Sequence, residues 1–256
     1  MACLVLVAFA AWVAIAAADD DDVRAAKRPP PVKPALTIRR VFLGLSVQRR
    51  PISAVVIGDA NATSNALVVG NVHGDEPGGF AVVSLLRHWR PPAGVALWLV
   101  HSFNPDGSAA HTRQNAHGVD LNRNFPYRWH SLGPPGARYY AGPRPLSEPE
   151  SRIEHSLILK IKPRVSIWFH QPYDVTDRSG GDVRLEKRFA RLSGLPLRRL
   201  PRYPGSITSW QNFRMRVGSA FVVELPGGSP SLSAAARYAR ATEAVIGEAA
   251  AVPRRP

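Results

Sequence analysis

Short apolar runs rich in β-branched residues recur along the chain near 37–47, 52–58, 66–72, 95–102, 164–170 and 219–225, and they predict six strands. Helical patterns lie between them. Val82, Leu85, Leu86 and Trp89 follow the i, i+3, i+4, i+7 spacing of one buried face. Ser147-Glu148-Pro149-Glu150 has the form of a capping box with proline in the first turn, opening a helix through about residue 161. Residues 183–194 and the alanine-rich 231–250 predict two more helices. Strands alternating with helices predict an α/β fold whose sheet is largely parallel, with mixed edges, and covered on both faces. In such sheets the working residues sit where strands end and loops begin. His73, His170 and Glu224 each follow a strand-like run within a residue or two, so three distant positions can converge.

The first 36 residues follow a different pattern. Residues 3–18, CLVLVAFAAWVAIAAA, are uncharged and apolar, shorter than the roughly 20 residues of a comfortable membrane span. The run ends in Ala16-Ala17-Ala18 before Asp19–Asp22, as a signal peptide would, although Met1-Ala2 supply no basic residue ahead of it. The expectation is a cleaved signal peptide, with a retained N-terminal anchor as the alternative. Either gives an exported protein: secreted, periplasmic or associated with the cell wall. Residues 19–36 run acidic, then basic, then proline-rich, and read as a solvated tether. From 37 to 256 no composition break or internal repeat divides the chain, so one catalytic-sized domain is expected there.

Composition narrows the chemistry. The only cysteine is Cys3, inside the leader, so no disulfide framework, Cys-based zinc site or catalytic thiol is available to the domain. Lysine and arginine total 33 against 19 acids, a net charge of +14. That balance suits association with an anionic cell envelope. An arginine-rich surface without a partner explains it equally simply. Basic residues are scattered, with no helix-length stripe and no nucleic-acid motif, so no nucleic-acid role is expected.

The residues with chemistry fall in short patches. His73 and Glu76 are three apart after a strand-like run, so one turn puts imidazole and carboxylate on the same side. His170 ends the run Val165-Ser-Ile-Trp-Phe169, and His101 ends another; on spacing alone the two compete as a further ligand. Arg113, Asn115, Asp120, Asn122, Arg123 and Asn124 crowd a segment in which glycine, proline and asparagine predict loops at 104–107 and 115–126. Such a segment either satisfies its own backbone or forms a floor for a substrate carboxylate, which arginine grips with two parallel bonds. Asp120 could alternatively orient a metal-bound imidazole. Glu224, alone in Phe-Val-Val-Glu-Leu-Pro, needs a polar reason to be buried. A cap or an arginine pair is the plain explanation, and a general base with a raised pKa is the sharper one.

His73-x-x-Glu76, Asn104-Pro-Asp-Gly107, Arg113, Val119-Asp-Leu-Asn-Arg-Asn-Phe-Pro126, His170 and Glu224, in that order, resemble the zinc metallocarboxypeptidase family. Tyr139-Tyr-Ala-Gly-Pro143, Ser147-Glu-Pro-Glu150, Pro204-Gly-Ser206, Ser209-Trp210 and Glu224-Leu-Pro226 are similar to its bacterial murein peptide amidase branch. The resemblance spans roughly residues 65–228 and favours His170 over His101. It implies an eight-stranded mixed sheet flanked by helices, and one Zn²⁺ held by His73, Glu76 and His170, with Asp120 behind His73. It further implies Arg113 at the scissile carbonyl, Asn122 and Arg123 on a substrate carboxylate, and Glu224 as general base. The implied substrate is a peptidoglycan stem peptide cut at a γ-D-Glu-diaminopimelate bond. Asp174, four residues past His170, is a candidate for an ammonium group on the diaminopimelate side chain. Digestive-type members carry a tyrosine a few residues after the Gly-Ser pair; Ile207-Thr-Ser-Trp-Gln211 has none, although Tyr203 lies just upstream.

Three other readings compete. A general exported carboxypeptidase would use the same residues on ordinary peptides. A succinylglutamate desuccinylase or aspartoacylase-like amidohydrolase shares the ligand set but not the Asn-Pro-Asp-Gly and Pro-Gly-Ser patches. An inactive wall-binding module would leave Glu224 and the ligands without purpose. No Gly-x-Ser-x-Gly elbow exists to support a serine hydrolase.

Overall fold

A computed structural model describes residues 36–252, apart from positions 60 and 217. The expected leader at 1–18, with Cys3, and the tether up to residue 35 lie outside the described residues. Leu36, counted with the tether, opens the first strand.

Eight strands form one mixed sheet: β1 (Leu36–Leu45), β2 (Pro51–Asp59), β3 (Ser64–Val69), β4 (Val95–Val100), β5 (Val165–His170), β6 (Tyr173–Asp177), β7 (Leu197–Arg198) and β8 (Ser219–Pro226), in the spatial order β1-β2-β4-β3-β5-β8-β6-β7. The four in the middle, β4-β3-β5-β8, are parallel to one another, while β2 joins β4 and β6 joins β8 antiparallel. Every residue of β4 and β5 is buried, because helices cover both faces; their sequences therefore read as unbroken apolar runs instead of alternating ones. Successive side chains still alternate between layers. Ile167 and Phe169 meet Leu86 of α1 (Gly79–Leu86), Phe189 of α4 (Val183–Ser193) and Val245 of α6 (Leu232–Ala251). Trp168 turns the other way, onto Ile158 of α3 (Pro149–Ile161) and Trp210, just beyond α5 (Ile207–Ser209).

The six expected strands are present, and β6 and β7 are additions. β6 reads Tyr-Asp-Val-Thr-Asp, too polar for an apolar run, and β7 has only two residues. Both lie at the margin of the sheet. Three local expectations change. Leu85 is 38% exposed and Trp89 lies beyond the end of α1, whose buried face is Val82, Val83 and Leu86. Residues 104–107 form the start of a short helix, α2 (Pro105–Ala110), where the Asn104 side chain caps Gly107 N and proline takes the first turn. The capping box does not close: Ser147 Oγ donates to Glu148 Oε1, while the buried Glu150 accepts from Val47 N and Asn115 Nδ2. Long-range partners outcompete the local motif for the same carboxylate.

Candidate active site

Parallel pairing of β5 with β8 sets His170 directly beside Glu224 at the ends of the two strands. β3 lies on the other side of β5 and runs through Gly70-Asn71-Val72 into His73. There Glu76 N donates to His73 O at 3.1 Å, closing one turn that brings the two side chains together. Asn71 Nδ2 holds that turn by donating to His73 O. Gly74 is fixed by contact: a Cβ there would come within 1.9 Å of the Gly107 carbonyl carbon, in the first turn of α2. The Asn104-Pro-Asp-Gly107 patch is thus a support for the His73 turn.

His73, Glu76 and His170 are all buried and offer ligand atoms within 4.8 Å of one another, the one such group among the described residues. His73 Nδ1 lies 2.9 Å from Glu76 Oε1, and His170 Nδ1 lies 2.8 Å from Glu76 Oε2. The two Nδ1 atoms are 3.1 Å apart. Behind them, His73 Nε2 sits 3.0 Å from Asp120 Oδ1. A proton held there leaves the Nδ1 lone pair facing the cluster, the tautomer that metal ligation requires. Burial opposes ionisation of Glu76, but the two imidazoles beside it outweigh that cost and hold the carboxyl well below its usual range. Asp120 is fully buried and is likewise held low, chiefly by the charges of His73, Arg123 and Arg113. Two lone pairs and a carboxylate converging in a dry place form a donor set that fits a divalent cation of the zinc type.

Asp120 does a second job. Its Oδ1 also accepts from Asn122 N at 3.0 Å, capping the 3-10 turn Leu121–Arg123. Its Oδ2 accepts from Arg113 Nε at 2.9 Å, while Arg113 NH1 reaches Glu76 Oε1 at 3.0 Å. Asn122 Oδ1 accepts from Ile207 N at the start of α5. The Arg123 guanidinium lies 4.2 Å from the Tyr203 ring and 5.3 Å from the Tyr139 ring. Gly205, at φ +68° and with space for a Cβ only 1.9 Å from Arg123 O, lets the 203–206 segment close on that turn. Tyr203 therefore lines the cleft with its ring over the Arg123 guanidinium.

Glu224 faces the same cleft of about 340 Å³ as the triad, Arg113 and Arg123. It is buried, and among the described residues its Oε2 has no hydrogen-bond partner. Burial, with a smaller contribution from the Glu76 charge, pushes its carboxyl up to about 7. Neither a cap nor an arginine pair accounts for this acid, so the plain explanation fails. Glu76 and Glu224 thus share one cleft with pKa values driven in opposite directions, the arrangement that assigns one carboxylate to ligation and the other to proton transfer.

The remaining expectations separate cleanly. His101 is not in the cluster; its ring stacks on Phe80 at 3.9 Å, and burial lowers its pKa. Asp174 is exposed and does not line the cleft. Strand alternation explains this: Tyr173 and Asp177 share the cleft side of β6, and Asp174 falls on the other parity. The acid of β6 that lines the cleft is Asp177, bonded to Arg202 at 2.7 Å, a pair that sequence reasoning missed. Gln171 was missed as well. Its Oε1 accepts from Gly78 N, its Nε2 donates to Gly228 O, and its backbone N donates to Glu76 Oε2, so it clamps the ligand turn to the end of β8.

Comparison with known proteins agrees with this geometry. A zinc carboxypeptidase family model matches residues 93–176. Murein peptide amidase A of Vibrio campbellii (strain ATCC BAA-1116) is 32% identical over 186 residues, which cover 67% of this chain and 73% of that one. The chain belongs to the zinc carboxypeptidase family. Murein peptide amidase A of Escherichia coli (strain K12) is 32% identical over 164 residues, or 59% of this chain and 67% of that one. Among solved structures, the murein-tripeptide amidase from Escherichia coli O157 superposes with a TM-score of 0.65 at 27% identity, covering 89% of this zinc carboxypeptidase and 98% of that chain. Carboxypeptidase A from Helicoverpa armigera gives a TM-score of 0.71 at 17% identity, covering 83% and 68%, which speaks for the fold alone. Zinc is the cofactor of the family, and the His73–Glu76–His170 donor set is suited to it.

Proposed function

We propose that this zinc peptidase hydrolyses the amide bond beside a free carboxylate in murein-derived peptides, at the γ-D-Glu-diaminopimelate linkage. The observation that carries the reading is Glu224, a buried carboxylate without a partner at Oε2, set by strand register beside the metal-type donor His170. The similarity to proteins named murein peptide amidase points to the substrate.

His73, Glu76 and His170 would hold zinc, which when bound supplies Lewis acidity to the scissile carbonyl and to the attacking water. Glu224 removes a proton from that water and delivers it to the leaving amine, a task for which a buried carboxylate with a raised pKa is well matched. Arg113, anchored on Asp120, directs NH1 toward the triad and stabilises the negative charge that grows on the carbonyl oxygen. Arg123 and Asn122 take the carboxylate next to the bond. Arg123 Nε is buried without a partner among the described residues, and the rings of Tyr203 and Tyr139 flank its guanidinium. We place the enzyme outside the cytoplasmic membrane on the strength of the apolar run at 3–18, with its basic surface suited to an anionic envelope.

The test uses zinc-loaded protein with L-Ala-γ-D-Glu-meso-diaminopimelate and a matched all-L α-peptide, with Glu224→Gln alongside. Release of diaminopimelate from the γ-linked peptide alone, lost in the variant, is the expected result. Preferential cleavage of the α-peptide would make the enzyme a general carboxypeptidase.

A further inference from the structure

Four guanidinium groups line the cleft, those of Arg113, Arg123, Arg138 and Arg202, against three carboxylates, those of Glu76, Asp177 and Glu224. Glu76 is committed to the triad, which leaves Asp177 and Glu224 against the four cations. The balance suits a substrate with more than one negative group. Arg113 and Arg123 are accounted for by the reacting bond and its neighbouring carboxylate. Arg138 is exposed at the rim. Arg202 has no assigned task.

Arg202 is also the best fixed of the unassigned pair. Its NH1 donates to Asp177 Oδ2 at 2.7 Å and its NH2 donates to Arg178 O. Asp177 is itself buried and fully occupied: Oδ1 accepts from Leu200 N at 2.8 Å, and Oδ2 accepts from Ser179 Oγ at 2.7 Å. Ser179 Oγ in turn accepts from Val222 N on β8, two residues before Glu224. The guanidinium is thus tied through two side chains to the strand that carries the base. Its side chain keeps 26% exposure, and no other hydrogen-bond partner engages it among the described residues. A five-donor fork with two donors anchored in the wall retains enough for a carboxylate from the cleft.

Tyr203 joins the two binding groups. It follows Arg202 in the chain and its ring covers the Arg123 guanidinium. A leaving residue whose α-carboxylate rests on Arg123 therefore has the Arg202 wall beside its side chain. We infer that Arg202 is a specificity-determining residue that binds a second carboxylate, the one at the far end of the leaving residue's side chain, and that Asp177 is the positioning residue that aims it. This rests on the murein-peptide reading, in which the leaving diaminopimelate carries that distal carboxylate. It also reassigns the acid at this wall: Asp177, with its oxygens already engaged, orients a cation of the protein and does not hold an ammonium of the substrate.

Lysine is the diaminopimelate side chain without its distal carboxylate, which makes the test direct. The full chain, loaded with zinc, is assayed with L-Ala-γ-D-Glu-meso-diaminopimelate and L-Ala-γ-D-Glu-L-Lys, as wild type, Arg202→Gln and Asp177→Asn. Wild type should favour the diaminopimelate peptide in kcat/KM by about 10- to 100-fold, the range of one charge-assisted hydrogen bond. Arg202→Gln should bring that ratio close to one, mostly through KM. Asp177→Asn should lower the ratio less, and Arg202→Lys should restore part of it. Zinc content and thermal melting confirm that each variant is folded. An unchanged ratio in Arg202→Gln overturns the inference while the murein reading stands, and so does an equal loss on both peptides. If Arg202→Gln instead erases a preference for the D-Glu α-carboxylate over its amide, the residue serves the other side of the bond and the inference is wrong. Wild type that cuts neither γ-linked peptide but cuts an α-peptide removes the murein reading and this inference with it.

Discussion

The two walls of the cleft are built by different means. On the triad wall, His73, His170 and Glu224 come from three parallel strands at the centre of the sheet, and Asp120 and Arg113 brace His73 and Glu76 from one loop. On the opposite wall, Asp177, Arg202 and Tyr203 come from a marginal strand and the segment that returns from it, held by an ion pair, a serine and stacked rings. The central wall has its geometry set by the sheet. The marginal wall depends on side chains, so its residues can change without disturbing the chemistry, and substrate choice belongs there.

Breaking the central wall should have the largest effect. His170→Ala removes one of three ligands, and zinc content should fall from one equivalent to a small fraction, with activity down at least about 1,000-fold; elemental analysis and kinetics read both. Asp120→Asn is the milder form of the same break, costing about 10- to 100-fold in zinc affinity because the His73 tautomer is no longer fixed.

Glu224→Gln sharpens the contrast, since it should spare zinc and lower kcat by about 100- to 10,000-fold. Its pH behaviour has a defined sign. The folded pKa is raised from 4.5 to about 7, so the protonated form contributes stability that is present below about 4.5 and lost as pH rises through 7. In the zinc-free protein, the Gln variant should therefore melt higher than wild type at pH 8, by an amount on the order of 1–2 kcal/mol, and the difference should vanish at pH 4. In the zinc enzyme, a cation nearby favours the ionised carboxylate, so the acidic limb of kcat/KM should lie at or below about 7. A variant that melts no higher at pH 8 would falsify the buried-base assignment.

The smallest effect belongs to the marginal wall. Tyr203→Ala removes the ring 4.2 Å from Arg123 and should raise KM by about 3- to 30-fold with little change in kcat, while Tyr203→Phe retains most of the binding. A kcat loss in Tyr203→Phe equal to that in Tyr203→Ala would mean that its hydroxyl takes part in the reaction.

The same division governs what could be read in the sequence. His73-x-x-Glu76, His170 and Glu224 were legible because central parallel strands are continuous apolar runs, and a polar residue at the end of such a run stands out. His101 shows the limit of that signal: it ends an equally apolar strand and stacks on Phe80 instead. Periodicity could order the candidates but not choose among them, and the wider motif order made the choice. The Asp177–Arg202 pair was invisible because its members lie 25 residues apart and neither stands on an apolar run. Asp174 drew attention by its closeness to His170, although strand parity put it outside the cleft. The failed capping box at Ser147–Glu150 has the same origin, a local pattern overridden by Asn115 and Val47 from distant parts of the chain.

His170 and Glu224 occupy paired positions on adjacent parallel strands, and this has an evolutionary consequence. The spacing between ligand and base follows from the repeat of the sheet, roughly 4.8 Å between neighbouring strands, and not from the path the chain takes between them. Arg202 and Tyr203 stand on a segment outside those two strands, so it can be rewritten while that spacing holds. Inheritance of the reaction is thereby uncoupled from inheritance of the substrate, so a lineage can retarget the enzyme by editing one excursion of the chain.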